Sequence, residues 1–247
     1  MLFSGAGTFV HNVYIFSWDA LLAFYNVVTP NLKEGKVVPK GCPGAGGKWP
    51  PYVAPGEGDS RSACPALNAM ANHGRFSSLS ARRYTPTCLR IGIVLITTRT
   101  CDPGQDYKYD PDQGKPYLPY IEELLASASG KDKDGNVMLT PEDLSRYSSK
   151  RRTEARATNP EFTLDTFHKM FGSANSSTLL TIFGGRLADL EPILTEERIP
   201  EGWESRIRSR MGLTFMAFNR TVFKVEGGIK EGEGAVLAES QSREPLT

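Results

Sequence analysis

Hydrophobic and polar positions divide the chain into stretches of unlike texture. Residues 9–28, FVHNVYIFSWDALLAFYNVV, are apolar and aromatic almost throughout, long enough as a helix to span a bilayer. His11, Asn12, Asp19 and Asn26 interrupt them, and an acid near a bilayer centre costs about 2.5–3.5 kcal/mol on insertion scales. No basic residue precedes the stretch and no small-residue cleavage pattern stands out, so it makes a poor secretory leader. Three readings stay open: an amphipathic helix lying on a membrane, an N-terminal helix packed on the fold, and a single span.

Residues 29–63 lose all periodicity. They are rich in Pro, Gly and Lys, which predicts an extended arm ordered only by lying on a surface. Trp49 and Tyr52 are its candidate anchors. Residues 65–73 read as a short helix, with Pro65 at the first helical position and Gly74 as the stop. Residues 75–101 carry five arginines and no acid, and CLRIGIVLITT (88–98) has a strand pattern with no nearby partner.

Helical signals return in KPYLPYIEELLASASG, ending at Gly130. Thr140, Pro141, Glu142 and Asp143 then write a helix start: an N-cap, a first-position proline and acids in the first turn. Short helices are expected over 163–172, 177–185 and 186–198, and a last one over 202–226. The boundaries that follow are a hydrophobic helix over 1–28, a domain over 29–226 with an atypical 75–112, and a flexible tail over 227–247.

Composition narrows the function classes. A chain of 247 residues can build one sizeable core. Its net charge of +1 gives no field for nucleic acid, so no nucleic-acid partner is expected. No glycine-rich phosphate loop is present. Cys42, Cys64, Cys88 and Cys101 stand far apart, without the paired spacing of a structural zinc site. The acidic loop DKDGNVMLTPED (132–143) fails the calcium-loop pattern, because Val137 and Pro141 fall where glycine and an acid are required. The basic run SSKRRTEAR (148–156) spreads its charges around a helix and reads as a solvated, salt-bridged face.

Cys64 is the residue with chemistry. A cysteine at a helix start meets free backbone N–H groups and the positive end of the dipole, both of which favour a thiolate. Those N–H groups would also temper its electron donation to a bound iron. A plain structural cysteine is the other reading. His168, in TFHKMF, reads as a half-buried helix residue.

SRSACPALNAMANHG (60–74) resembles the proximal signature of the fungal haem-thiolate peroxidases, the chloroperoxidase and unspecific peroxygenase family. Cys64, Pro65, Leu67, Asn68, Ala71, Asn72, His73 and Gly74 match it, and Ala63 replaces its first proline. SSKRRTEARATNPEFTL (148–164), FGSANSSTLLTIFGGR (171–186) and EERIPEGWESRIRSRMGLTFM (196–216) resemble that family's later helices. The likeness covers residues 29–74 and about 113–226. It implies an all-α domain around one haem b, with Cys64 as axial iron ligand and Pro65, Leu67 and Asn68 at the cofactor. It further implies hydrogen peroxide as oxidant, and small organic substrates or halide as what is oxidised.

Two departures qualify that function. The family's magnesium-binding Glu-His-Asp or Glu-Gly-Asp motif does not occur between His73 and Asp112. A misjoined exon would explain 75–112, and an intact cDNA encoding it as written would rule that out. The family's distal glutamate also has no counterpart, since Ser173, Ala174 and Asn175 occupy its neighbourhood. His168 is the weak candidate to replace it. The alternative is a catalytically impaired haem-binding relative. A third reading is a membrane-apposed interaction protein in which Cys64 is structural. Asn175 and Asn219 head glycosylation acceptor patterns that matter only in a secreted chain; secreted or membrane-associated is the expected location.

Overall fold

The computed structural model describes residues 2–57, 59, 61–62, 64–74, 97, 102–103, 105 and 116–231. The strand pattern at 88–98, Cys88 and Cys101 lie outside the described residues except for Thr97, as does the tail beyond residue 231. The described chain is helical, as expected: α1 (Leu2–Val28), α2 (Pro65–Asn72), α3 (Leu118–Ala126), α4 (Pro141–Thr158), α5 (Thr166–Thr181), α6 (Leu187–Thr195) and α7 (Phe215–Gly228). The strands among the described residues are a two-residue antiparallel pair, β1 (Gly130–Lys131) and β2 (Val137–Met138), with Gly130 opposite Met138.

Local chemistry starts these helices where the sequence says it should. Thr140 accepts the Asp143 N–H at 3.1 Å, and Asp143 accepts the Thr140 N–H at 2.9 Å, a reciprocal capping box. Asp143 is fully buried and also takes the Ser129 N–H and hydroxyl, so one carboxylate ties α4 to the end of the α3 loop. The loop that resembles a calcium site is closed on itself. Asp132 accepts from the N–H groups of Asp134 and Asn136 and pairs with Arg186 at 2.7 Å.

The core gathers Ile121 and Leu124 of α3, Leu144 and Tyr147 of α4, Leu179 of α5, Leu190 and Leu194 of α6, and Val225 of α7. A second cluster, Ala69, Ile199 and Trp203 with Trp49, packs under α2, and Phe183 touches both. The arm is ordered by polar straps. Glu204 accepts the N–H groups of Gly35, Val37 and Val38. Arg208 donates to Leu32 O at 2.8 Å, and Trp49 Nε1 donates to Trp203 O at 2.7 Å.

Four expectations need correction. The helices expected at 163–172 and 177–185 are one helix, α5. Its polar run is buried rather than turning, with Ser176 bonded back to Gly172 O and Ser173 bonded to Glu226. The last helix begins only at Phe215, capped by Thr214, because the preceding residues serve the arm. The basic run on α4 is not wholly solvated: Arg151 and Arg152 are each 2% exposed. Arg152 makes a two-armed bond to Glu226 at 2.9 and 2.8 Å, and Arg151 pairs with Asp102 and Glu154. Finally, the expected tail begins docked, with Glu231 pairing to Arg152, Arg156 and Lys169.

Helix α1 is packed on α7 through its polar positions. Asp19 accepts the N–H groups of Phe215 and Met216 at 2.7 and 2.8 Å, and so caps α7 from outside. Asn26 bonds to Gly212 O and the Met211 N–H. Among the described residues no helix is long and apolar enough to cross a membrane, which removes the single-span reading. Phe9, Tyr14, Trp18, Leu21 and Phe24 nonetheless remain exposed.

Candidate functional site

Cys64 sits where the sequence puts it, as the extended N-cap residue of α2, with Pro65 opening the helix. It is a free cysteine of intermediate exposure; Cys42 is also free, and is exposed. Burial pushes the Cys64 thiol up. The N–H groups of Leu67 and Ala66 pull it back, and the charge of Glu197 adds to the rise. The expected help from the helix start is therefore present but outweighed by desolvation. A cation at the sulfur would reverse that balance.

The segment around the sulfur is held by a connected set of polar bonds. Ser62 Oγ accepts the Cys64 N–H at 3.1 Å. Asn68, 1% exposed, accepts the Ser62 N–H and donates to Ser62 O, both at 2.8 Å. Asn68 also donates to Glu197, which pairs with Arg61. Arg61 donates to Asn72 Oδ1 at 3.0 Å, and Asn72 donates to the Glu197 carbonyl at 3.0 Å. His73 closes the far end: its Nδ1 meets Pro50 O at 2.6 Å and its Nε2 accepts the Ile199 N–H at 3.2 Å. A ring nitrogen that accepts an amide is unprotonated, so the Nδ1–H donates to Pro50.

The other predicted residues take different places. Pro65 is buried and Leu67 half-buried in the first turn of α2. Asn68 is fully occupied by Ser62 and Glu197, which makes it a support of the Cys64 turn. His168 lies on the first turn of α5, with a side chain 39% exposed and Nδ1 2.9 Å from Asp165. Among the described residues it meets Asp165 and Phe167, and no contact joins it to Cys64. Ser173, in the stretch where no acid was found, meets one from another helix, Glu226 of α7. Arg152 holds Glu226 ionised: burial alone would raise its pKa, and the bonds from Arg152 and Ser173 bring it below the usual range. Asn175 Nδ2 is buried in α5, so the folded chain cannot carry a glycan there.

Sequence reasoning missed Glu197, Arg61 and Asn72 as a group. An acid in a loop more than a hundred residues from the cysteine carries no local signal of that partnership.

The donor chemistry at Cys64 fits a haem iron on one side. A single free sulfur with two flanking N–H groups is what an axial thiolate needs. No group of three or more His, Cys, Asp or Glu side chains among the described residues could hold a metal ion; a haem iron needs only one protein ligand. A cleft of about 640 Å³ lies on the arm between Val38, Cys42 and Trp49, and its lining does not include Cys64.

Comparison with known proteins bears on the same region. The model of "Peroxidase, family 2" matches residues 50–77 and 104–208, more than half of the chain, and its first segment contains the whole Cys64 turn. The chloroperoxidase of Leptoxyphium fumago is 60% identical over 38 residues. That stretch is 13% of this chain and 10% of the chloroperoxidase, so the chain matches a tenth of that relative's length.

Proposed function

Because the chain belongs to peroxidase family 2, we propose that it is a haem-thiolate peroxidase or peroxygenase that binds haem b through Cys64. The observation that carries the reading is the free sulfur of Cys64 at the start of α2, inside the matched segment. When bound, haem would supply the redox chemistry by which hydrogen peroxide oxidises small organic substrates or halide. Cys64 would hold the haem iron through its sulfur. Ser62 and Asn68 fix the backbone of the turn, and the N–H groups of Ala66 and Leu67 temper the sulfur's donation.

Peroxide chemistry also requires a group that moves a proton between the two oxygens. His168 is the weak candidate, and its exposed pairing with Asp165 favours the second reading, a haem-binding relative with impaired turnover. We assign no magnesium site. The exposed apolar face of α1 also supports, as a separate proposal, contact with a membrane surface without crossing it. Loss of vesicle co-sedimentation on deleting residues 2–28 would test that contact.

The experiment for the main reading is the absorption spectrum of protein loaded with haem, reduced and exposed to carbon monoxide. A strongly red-shifted Soret band that disappears in Cys64→Ala is expected. A spectrum indifferent to Cys64 would overturn the assignment. Peroxide turnover by the loaded protein then separates the active enzyme from the impaired relative.

A further inference from the structure

Glu197 has the one positive φ, 51°, of a non-glycine among the described residues. Glutamate, unlike asparagine or aspartate, does not favour this conformation, and such strain persists only where the surroundings over-determine it. Here they do. One carboxylate oxygen accepts from Asn68 in the first turn of α2, and the other accepts from Arg61, three residues before the cysteine. The carbonyl of Glu197 takes Asn72 in the last turn of α2. Two residues on, the Ile199 N–H bonds to His73. The loop thus grips both sides of Cys64 and both ends of its helix.

We infer that Glu197 is the positioning residue that sets the Cys64 sulfur on the iron and biases its electron donation; this rests on the reading of Cys64 as axial ligand. Two effects follow from the geometry. The clamp fixes the turn that presents the sulfur. The carboxylate, itself only 16% exposed, places a negative charge beside a site that the N–H groups of Ala66 and Leu67 make positive. A negative charge near the iron disfavours the ferrous state, so removing it should make the iron easier to reduce.

The test compares Glu197→Gln, Glu197→Asp and Glu197→Ala with the parent. In haem-loaded protein, Gln should keep the thiolate-type spectrum yet shift the ferric/ferrous potential to more positive values, and Asp should restore it toward the parent. In apoprotein, alkylation of Cys64 by iodoacetamide, read by peptide mass mapping at fixed pH, should be several-fold faster in Ala because the turn opens. A merely structural role would leave the potential of the well-folded Gln variant unmoved, and that result would overturn the inference. Should Ala fail to fold, the Gln and Asp potentials decide alone. If the parent shows no thiolate spectrum, the axial-ligand reading fails and this inference with it. A parent thiolate spectrum with unchanged potentials fails the inference alone.

Discussion

Replacing Arg152 by methionine should be among the most damaging single changes in this fold. The guanidinium is 2% exposed and joins three helices: it lies on α4, grips Glu226 of α7 with both arms, and through Glu226 reaches Ser173 of α5. Methionine restores the packing of the stem but leaves Glu226 with Ser173 as its remaining strong donor. Removing one partner of a buried ion pair costs about 3–5 kcal/mol, because the other charge is stranded. Against a total stability of about 5–15 kcal/mol that is a large fraction. At about 2–4 °C per kcal/mol for a chain of this size, the melting temperature should fall by about 6–20 °C.

The assay is urea unfolding of Arg152→Met, Glu226→Leu and the double variant. The double variant should recover much of the loss, giving a coupling above about 1.5 kcal/mol, since two apolar side chains strand no charge. A single-variant cost below about 1 kcal/mol, or no coupling, would refute the reasoning. Acid provides a second check. Burial would raise the pKa of Glu231, but its bonds to Lys169 and Arg156 bring it down to about 2, and Glu226 is lowered as well. Carboxylates held below their unfolded value of 4.5 contribute fully above about pH 4.5. That contribution is lost as pH falls toward about 2. The parent should therefore lose more stability across that window than the double variant.

Three further changes test other joints. Thr140→Ala removes the cap of α4 and should cost about 1 kcal/mol in urea unfolding; no loss would mean the Asp143 bonds to Ser129 suffice. Asp19→Ala strips the outside cap from α7 and should speed proteolytic release of α1 while moving the core's melting temperature by under about 2 °C. Gly47→Ala places a Cβ 2.3 Å from the Gly202 carbonyl at a φ of +75°. It should destabilise by about 2 kcal/mol or more, read by chemical denaturation, because neither backbone can move without breaking the Trp49–Trp203 strap.

Local signals in the sequence were reliable where one short stretch contains both halves of an interaction. The capping box of α4 needs only residues 140–143, and the N-cap place of Cys64 needs only Pro65 after it. The extended arm could be read as surface-bound because nothing in it repeats. Errors arose where a polar residue's partner lies on another element. Arg152 looks solvated until α7 brings Glu226, and the Ser173–Ser177 run looks like a break until α4 and α7 cover it. Asp19 looked like an obstacle to membrane insertion; it is a cap for a helix almost two hundred residues away.

The same distinction governs the candidate site. The sulfur and its helix are written in one motif, so the proposed iron ligand can be named from the sequence. What controls a sulfur's electronic character is the charge and dipoles around it, and those come from afar. The N–H groups of Ala66 and Leu67 are local and push one way. Glu197 arrives from the loop after α6 and pushes the other way. Its strained backbone, its two side-chain partners on either side of Cys64 and its carbonyl bond to Asn72 mark it as the counterweight. A motif can therefore name a candidate ligand, but the set point of that sulfur is a property of the folded loop that packs against it.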